Sequence, residues 1–322
     1  MIPQRPLPIW RSMLFVPVTV RKFVEGAPKR GADAIILDLE DSIPMAEKER
    51  ARTLIAEAAE VVSQGGADVV VRVNRPWRML VRDLEAAIGP GVHALKLPKI
   101  ESAEHIQAIA EIVDEIEAER GLAPGHTRFI AMVETASGFF RTEAIARSHP
   151  RVVGITVGAE DLALSVGMVP EAEGLFYPNQ HCILAARAAG ILPLGFLGTV
   201  AEFSDLDAFR AVIRRSRRLG FMGAACIHPS QVAILNEEYR PTRTEVDHAT
   251  RMLAAYEDAV AQNRGAVTFE GKMIDVPVVQ RAEQVLAREA AIAAREARRV
   301  ASRLLALRHA AKSSFVCSSV AG

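Results

Sequence analysis

The amino-acid sequence predicts a closed (β/α)8 barrel followed by a helical C-terminal extension that serves as a lid or an oligomerisation arm. Eight short apolar runs alternate with helix-patterned stretches between residues 12 and 229, and each run gives way to polar or charged residues at its carboxyl end. After residue 240 the composition shifts towards Ala, Arg and Glu. Strands that alternate with helices imply right-handed crossovers and a parallel sheet, and eight such units in roughly 230 residues suit a barrel. The competing architecture is an open doubly wound sheet, which has no Gly-x-Gly-x-x-Gly after the first strand to recommend it. The expected division is a barrel over residues 1–241 and an extension over 242–322, with a lid loop around 265–276.

Taken in order, Ser12–Pro17 reads as the first strand after a proline-punctuated lead, and a helical stretch over 20–30 is stopped by Gly31. Ala34–Asp41 is the second strand. The helical stretch that follows, about 45–64, ends at Gly65-Gly66, a C-terminal cap signal. Further strands are expected at Val69–Asn74, His93–Lys99, Phe129–Thr135, Val152–Gly158, Ile191–Gly198 and Gly223–Pro229. Helices near 79–88, 102–120, 139–147, 178–189 and 205–218 separate them. In the extension, Thr244–Asn263 reads as a helix stopped by Gly265, 266–269 as a short extended piece and 271–275 as a loop or hairpin. A long helix over 277–311 follows, with a small, polar tail, 313–322, that frays.

Composition excludes several classes. Lysine plus arginine equals aspartate plus glutamate at 39 each, so no global field draws nucleic acid or an anionic membrane. The longest uncharged stretch near the middle, Gly190–Ala201, contains Pro193 and falls well short of the ~18 apolar residues of a membrane span. Cys182, Cys226 and Cys317 lie far apart without C-x-x-C spacing, which suggests neither a disulfide framework nor a zinc site. A reducing, cytoplasmic location is expected.

In a barrel of this kind the carboxyl ends of the strands form the active face. There the chain places Asp38 and Glu40, Arg72 and Asn74, Lys96 and Lys99, Glu134 and Thr135, Glu160 and Asp161, and His228. Alternation along the second strand puts Asp38 and Glu40 on one face. Two carboxylates on a buried face need a cation, a metal or a proton. Asp41 or Ser42 is placed to cap the helix after Pro44. Arg72 offers a fork suited to a substrate carboxylate or a developing enolate oxygen, and equally to a salt bridge with Asp38 or Glu40. Glu134 and Asp161 end the fifth and sixth strands. Such a pair, with open positions for water and substrate, suits Mg2+; pairing of each with a basic residue of the same rim is the alternative.

Eight motifs carry a resemblance: Arg11-Ser12-x-Leu14-Phe15-Val16-Pro17, Leu37-Asp38-Leu39-Glu40-Asp41, Arg72-x-Asn74, Lys96-Leu97-Pro98-Lys99, Glu134-Thr135-Ala136-x-Gly138, Gly158-Ala159-Glu160-Asp161-Leu162, Ile227-His228-Pro229-x-Gln231 and Gly271-Lys272-Met273-Ile274-Asp275. Together, in order from Arg11 to the start of the last helix, they resemble the citrate lyase β-subunit-like family, which includes malyl-CoA and citramalyl-CoA lyases. The resemblance implies a trimeric or hexameric (β/α)8 barrel that cleaves or forms a carbon–carbon bond between an acyl-CoA and a 2-oxo acid. It implies that Glu134 and Asp161 bind Mg2+, that Arg72 faces the oxo acid, and that Arg11 and Lys22 contact the substrate or the CoA phosphates. Asp275 would arrive from a neighbouring subunit to handle the proton at the acyl α-carbon, although an aspartate just before Val276-Pro277 also suits capping of the final helix.

With the metal pair so assigned, Asp38 and Glu40 become supports that position Arg72 and Lys96 and hold metal-bound waters. Lys96, Glu134 and His228 complete the expected substrate contacts, His228 also being suited to a structural His-Pro turn. The sequence departs from the better-known lyase branches at Pro193–Val200, which holds no acid, so the acyl group and acceptor stay open. A CoA-independent aldolase of 2-oxo acids and a catalytically idle acyl-CoA-binding barrel are the alternative activities.

Overall fold

Aliphatic and β-branched runs fit a pleated surface that is buried on both sides, and here they pair as parallel strands. The computed structural model describes residues 6–199, 205–262 and 266–318. The strands are β1 (Ser12–Pro17), β2 (Ala34–Asp38), β3 (Asp68–Arg72), β4 (Ala94–Leu97), β5 (Arg128–Val133), β6 (Val152–Val157), β7 (Leu192–Leu194) and β8 (Ala224–Cys226). Neighbours follow chain order from β1 to β7, and β8 returns to pair with β1. The ring is closed by a parallel bridge from Leu194 to Gly223 and by the Gly195 N–H donating to the Gly223 carbonyl at 2.8 Å.

Among the described residues, eleven α-helices accompany this ring: α1 (Arg21–Gly26), α2 (Lys48–Thr53), α3 (Ile55–Ser63), α4 (Trp77–Ala87), α5 (Ala103–Glu119), α6 (Ala136–Phe139), α7 (Thr142–Arg147), α8 (Ala159–Val166), α9 (Ala172–Ala189), α10 (Leu206–Leu219) and α11 (Pro229–Glu238). Local chemistry sets their ends. The Ser102 hydroxyl accepts the His105 N–H at the start of α5, and Asp205 accepts from Asp207 and Ala208 at the start of α10. Gly220 ends α10 at a φ of 118°, a conformation that a side chain would strain. All eight expected strands exist, but most stop before the polar residues expected to end them. Helices α8 and α11 were not anticipated, and Asp41 and Ser42 cap nothing: no side-chain cap opens α2, which begins after Glu47.

Side-chain alternation divides the core in two. Met13, Ala34, Ile36, Val70, Ala94, Ile130, Leu192 and Leu194 fill the lumen above Trp10. Leu14, Val16, Ile35, Leu37, Val69, Val71, Leu95 and Leu97 pack outward in the larger cluster that includes helix residues such as Ile55, Leu84 and Ile106. Continuing the lumen rows by two residues brings Asp38, Arg72 and Lys96 to the carboxyl ends of β2, β3 and β4, where the strand register sets them side by side.

A second compact unit spans Arg240–Ala301. It contains α12 (Arg243–Ala261), an antiparallel hairpin of β9 (Val267–Phe269) and β10 (Lys272–Ile274), and the start of α13 (Val276–Ser318). Glu270 and Gly271 turn the hairpin with φ values of 47° and 75°, the backbone that two-residue hairpin turns require. Ala249, Met252, Ile274 and Ala282 form its apolar centre, and Arg240 pairs with Glu289 and Glu296. Helix α13 runs beyond the expected end at 311 to Ser318. The expected helix stop at Gly265, the last four residues of the tail and the end of the Pro193–Val200 segment lie outside the described residues. No helix among the described residues is long and apolar enough to cross a membrane.

Candidate active site

The mouth of the barrel is built on a charged row. Asp38 receives Arg72 through two hydrogen bonds of 2.7 Å, one to each oxygen, and also accepts the Glu40 and Ser42 backbone N–H groups at 2.9 and 3.2 Å. Burial alone would raise the Asp38 pKa, but the bonds from Arg72 outweigh it and hold the carboxyl below its ordinary value. The third guanidinium nitrogen of Arg72 lies 2.9 Å from both Glu40 and Asp41, and the whole group rests over the Phe15 ring, 4.8 Å from its centre. Arg72 is thereby fixed in place and charged.

Glu40 sits just beyond β2 with its Oε2 buried and, among the described residues, without a hydrogen bond, although Arg72 is close enough for an ion pair. Burial pushes its pKa up to about 7; Arg72 and Lys99 pull against this, while Asp41 and Glu134 add to it. Its backbone is pinned from behind by Lys48, whose ammonium donates to the carbonyls of Leu39 and Glu40 at 2.6 and 2.5 Å. Asn74 donates to the Leu39 carbonyl and to Asp83, and Asp83 accepts Arg52. This layer behind the strand ends was not foreseen, because a lysine or an arginine within a helical stretch carries no sequence signal of where its tip goes.

Glu134 follows β5 directly. Its carboxylate accepts the Lys99 N–H at 2.7 Å, an approach made possible by a φ of 50° at Lys99, which is unusual for a side-chain-bearing residue. Burial raises the Glu134 pKa, opposed by Lys99. The Lys99 ammonium lies 3.3 Å from Glu40 and 3.2 Å from Asp161, so one residue touches three acids. Asp161 does not end β6 as expected; it stands in the first turn of α8, with Gly158 as the N-cap. Gly158 leaves room for the Glu134 carboxylate, since a Cβ there would lie 2.3 Å from Glu134 Oε1 and force it to shift. Glu134, Asp161 and the strand-end groups Arg72 and Lys96 line one cavity of about 190 Å³. No cluster of three or more His, Cys, Asp or Glu forms a ready-made cage among the described residues. Two carboxylates that leave the remaining positions to water and ligand fit a hard, octahedral cation such as Mg2+.

A larger cavity of about 730 Å³ adjoins on the β1 side, lined by Phe15, Lys22, Phe23, Arg30, Arg72 and His228 among others. Lys22 is exposed on its rim. His228 lines it too, but its ring also caps α11, accepting the Ser230 N–H while Gln231 accepts the His228 N–H in return. Arg11 does not reach the mouth. It precedes β1 at the opposite end of the barrel, 2% exposed, and its guanidinium bonds both oxygens of Asp33 and the Asn236 carbonyl. The substrate contact implied for Arg11 is thus replaced by a buried ion pair. Asp275 lies in the second unit immediately before α13. Its backbone carbonyl accepts from Val278 and Val279, while its carboxylate makes no hydrogen bond or ion pair among the described residues. Side-chain capping therefore does not occupy it.

Fold and site together define a (β/α)8 barrel enzyme that gathers acids and a pinned arginine at the carboxyl ends of its strands. The family model for HpcH/HpaI aldolase/citrate lyase matches residues 11–229, and the chain belongs to that family. It is 36% identical over 290 residues to the citrate lyase subunit beta of Escherichia coli K12, covering 88% of this chain and 95% of that protein. It is 35% identical over 288 residues to a (3S)-malyl-CoA thioesterase of Cereibacter sphaeroides, covering 88% and 96%. The crystal structure of CitE from Mycobacterium tuberculosis in complex with magnesium, acetoacetate and coenzyme A is similar at a TM-score of 0.66 and 32% identity, covering 87% of this chain and 97% of that one.

Proposed function

We propose that the protein is a Mg2+-dependent CoA-ester lyase that breaks or makes a carbon–carbon bond between an acyl-CoA and a 2-oxo acid, on a substrate of the malyl-, citramalyl- or citryl-CoA type. The observation that carries the reading is that Arg72 lines both compartments of the mouth: the small one with the Glu134–Asp161 pair and the large one rimmed by Lys22 and Arg30. The small compartment takes the oxo acid, and the large one the acyl-CoA. Glu134 and Asp161 would hold Mg2+, which would supply polarisation of the oxo-acid carbonyl.

The chain's own groups do the rest. Arg72, held by Asp38, presents N–H donors where negative charge develops on the reacting oxygens. Lys22 and Arg30 attract the CoA phosphates. Glu40, whose pKa lies near 7, steadies Lys99 and Arg72 without itself bonding the substrate. The uncommitted Asp275 carboxylate, brought by a neighbouring subunit of a trimer or hexamer in the cytoplasm, takes the proton from the acyl α-carbon and is shielded from water on closure.

The test is product analysis with malyl-, citramalyl- and citryl-CoA in the presence of Mg2+. The expected products are an acyl-CoA and a 2-oxo acid, with chelation abolishing turnover. Release of free CoA with the hydroxy acid intact would instead identify a thioesterase. Equal rates on the free hydroxy acids would identify a CoA-independent aldolase, and no turnover of any thioester an idle barrel.

A further inference from the structure

Lys96 is a charged group of the mouth for which the reaction above gives no partner. It extends from β4 into the lumen, 3% exposed, and among the described residues its ammonium makes no hydrogen bond and no ion pair, resting instead over the Phe15 ring at 5.7 Å from its centre. The nearby acids are engaged elsewhere. Asp38 gives both oxygens to Arg72, Glu134 accepts the Lys99 N–H, and Glu40 faces Arg72 and Lys99. An unpaired ammonium buried this deeply is costly. Burial, followed by the repulsion of Arg72, pulls its pKa down to about 8 against the opposing attraction of Glu134, Glu40 and Asp38. Such a group is retained where something else supplies the counter-ion.

Its position selects that counter-ion. Lys96 lines the 190 Å³ cavity with Glu134 and Asp161 and does not line the 730 Å³ cavity, so it serves the acid and not the CoA. A 2-oxo acid commits its own carboxylate and carbonyl to the Glu134–Asp161 side, which leaves the lysine facing whatever the acid carries at its other end. We propose that Lys96 pairs with a second carboxylate there, so that the site takes a 2-oxo dicarboxylic acid of the oxaloacetate type and therefore the citryl class of thioester. A hydrogen or a methyl group at that end would leave the ammonium buried and unpaired, and a site discriminates most strongly when the wrong ligand leaves its polar groups unsatisfied. The inference rests on the lyase reading for the thioester but concerns the acid alone.

Isothermal titration of the full chain with Mg2+ and either oxaloacetate or pyruvate separates the two ideas, because it needs no CoA. The wild type is expected to bind oxaloacetate about 10–100-fold more tightly than pyruvate, the range of one charged hydrogen bond. Lys96→Met is expected to erase that preference while changing pyruvate affinity by less than about threefold, and Lys96→Arg to keep part of it. Binding of the dicarboxylate near pH 8 also draws a proton onto Lys96, seen as a dependence of the heat on buffer ionisation. A wild type without the preference overturns the proposal whether or not a variant folds. So does a Lys96→Met protein that loses both acids in parallel, which would show that Lys96 reads the shared carboxylate. Borohydride trapping of pyruvate on Lys96, read by mass spectrometry, would overturn it by making the amine a nucleophile. Intact selectivity for oxaloacetate with no thioester turnover would leave the role of Lys96 standing and defeat the lyase reading alone.

Discussion

The two ends of the barrel use the same residue types to opposite effect. At the amino ends of the strands, charges are closed in on themselves. Arg11 is locked to Asp33, and Arg151 bonds both oxygens of Glu117, the Thr127 carbonyl and Asp114. The N–H groups of Gly125 and Thr127 complete the shell around Glu117. At the carboxyl ends the sums do not close. Among the described residues, Glu40 has an oxygen without a hydrogen bond, Lys96 has no ion-pair partner, and Lys99 is shared among three acids. At the amino end Arg11 and Arg151 each have their counter-charge, although Arg151 Nε and Thr127 Oγ1 find no hydrogen bond among the described residues. Such a charge-paired network holds the fold, whereas one that leaves charges open suits a ligand.

Breaking a closed network should therefore cost stability, and disturbing the open one should cost binding. The largest effect is expected for Arg151→Met, which leaves Glu117 buried beside Asp114 without its cation. Chemical denaturation should show a loss of ~3–5 kcal/mol, with Mg2+ affinity of the remaining folded protein unchanged. Altered Mg2+ affinity would show that the two ends are not independent.

Glu40→Gln should act through pH. The folded pKa of Glu40 is raised from 4.5 to about 7, so its contribution is complete below about pH 4.5 and is lost as pH rises through about 7. Stability measured in a chelator should fall across that window in the wild type, by about 3 kcal/mol, and the variant should lack this fall. Parallel pH profiles would show that Glu40 is ionised throughout.

The smallest effect on stability is expected for Gly158→Ala. Its φ of −86° and ψ of 102° suit alanine, so the only conflict is the Cβ against Glu134. A cost of about 1–2 kcal/mol is expected, together with a Mg2+ affinity about 10–100-fold weaker by calorimetry. Unchanged metal affinity would remove Glu134 from the proposed metal pair.

What the sequence made legible follows the same division. The alternation of strands and helices was readable because each strand is buried on both faces. β1 spans Ser12–Pro17, just as its apolar run suggests. The charged row of Asp38, Arg72 and Lys96 was readable because it continues lumen positions at a period of two. Asp161 was misplaced because Gly158-Ala159-Glu160-Asp161 continues an apolar run without a break, and only the N-terminal turn of α8 shows where the carboxylate points. Arg11 was misassigned by resemblance although its place before β1 put it at the amino end, where the barrel rule predicts stability. Asn74 was legible as a strand-end residue, but its role and that of Lys48 were beyond reach, since both reach the Leu39 carbonyl, which no side-chain pattern reveals.

Phe15 lines both cavities and lies beneath both Arg72 and Lys96. The partition between the two compartments is thus this aromatic ring together with Arg72 and Asp41, which line both as well. If the two compartments hold acyl group and acid as proposed, a substitution of Phe15 that makes room for a bulkier acyl group also moves the floor beneath Arg72 and Lys96. On the proposed reading, the preferences for the two halves of the substrate are coupled through this residue.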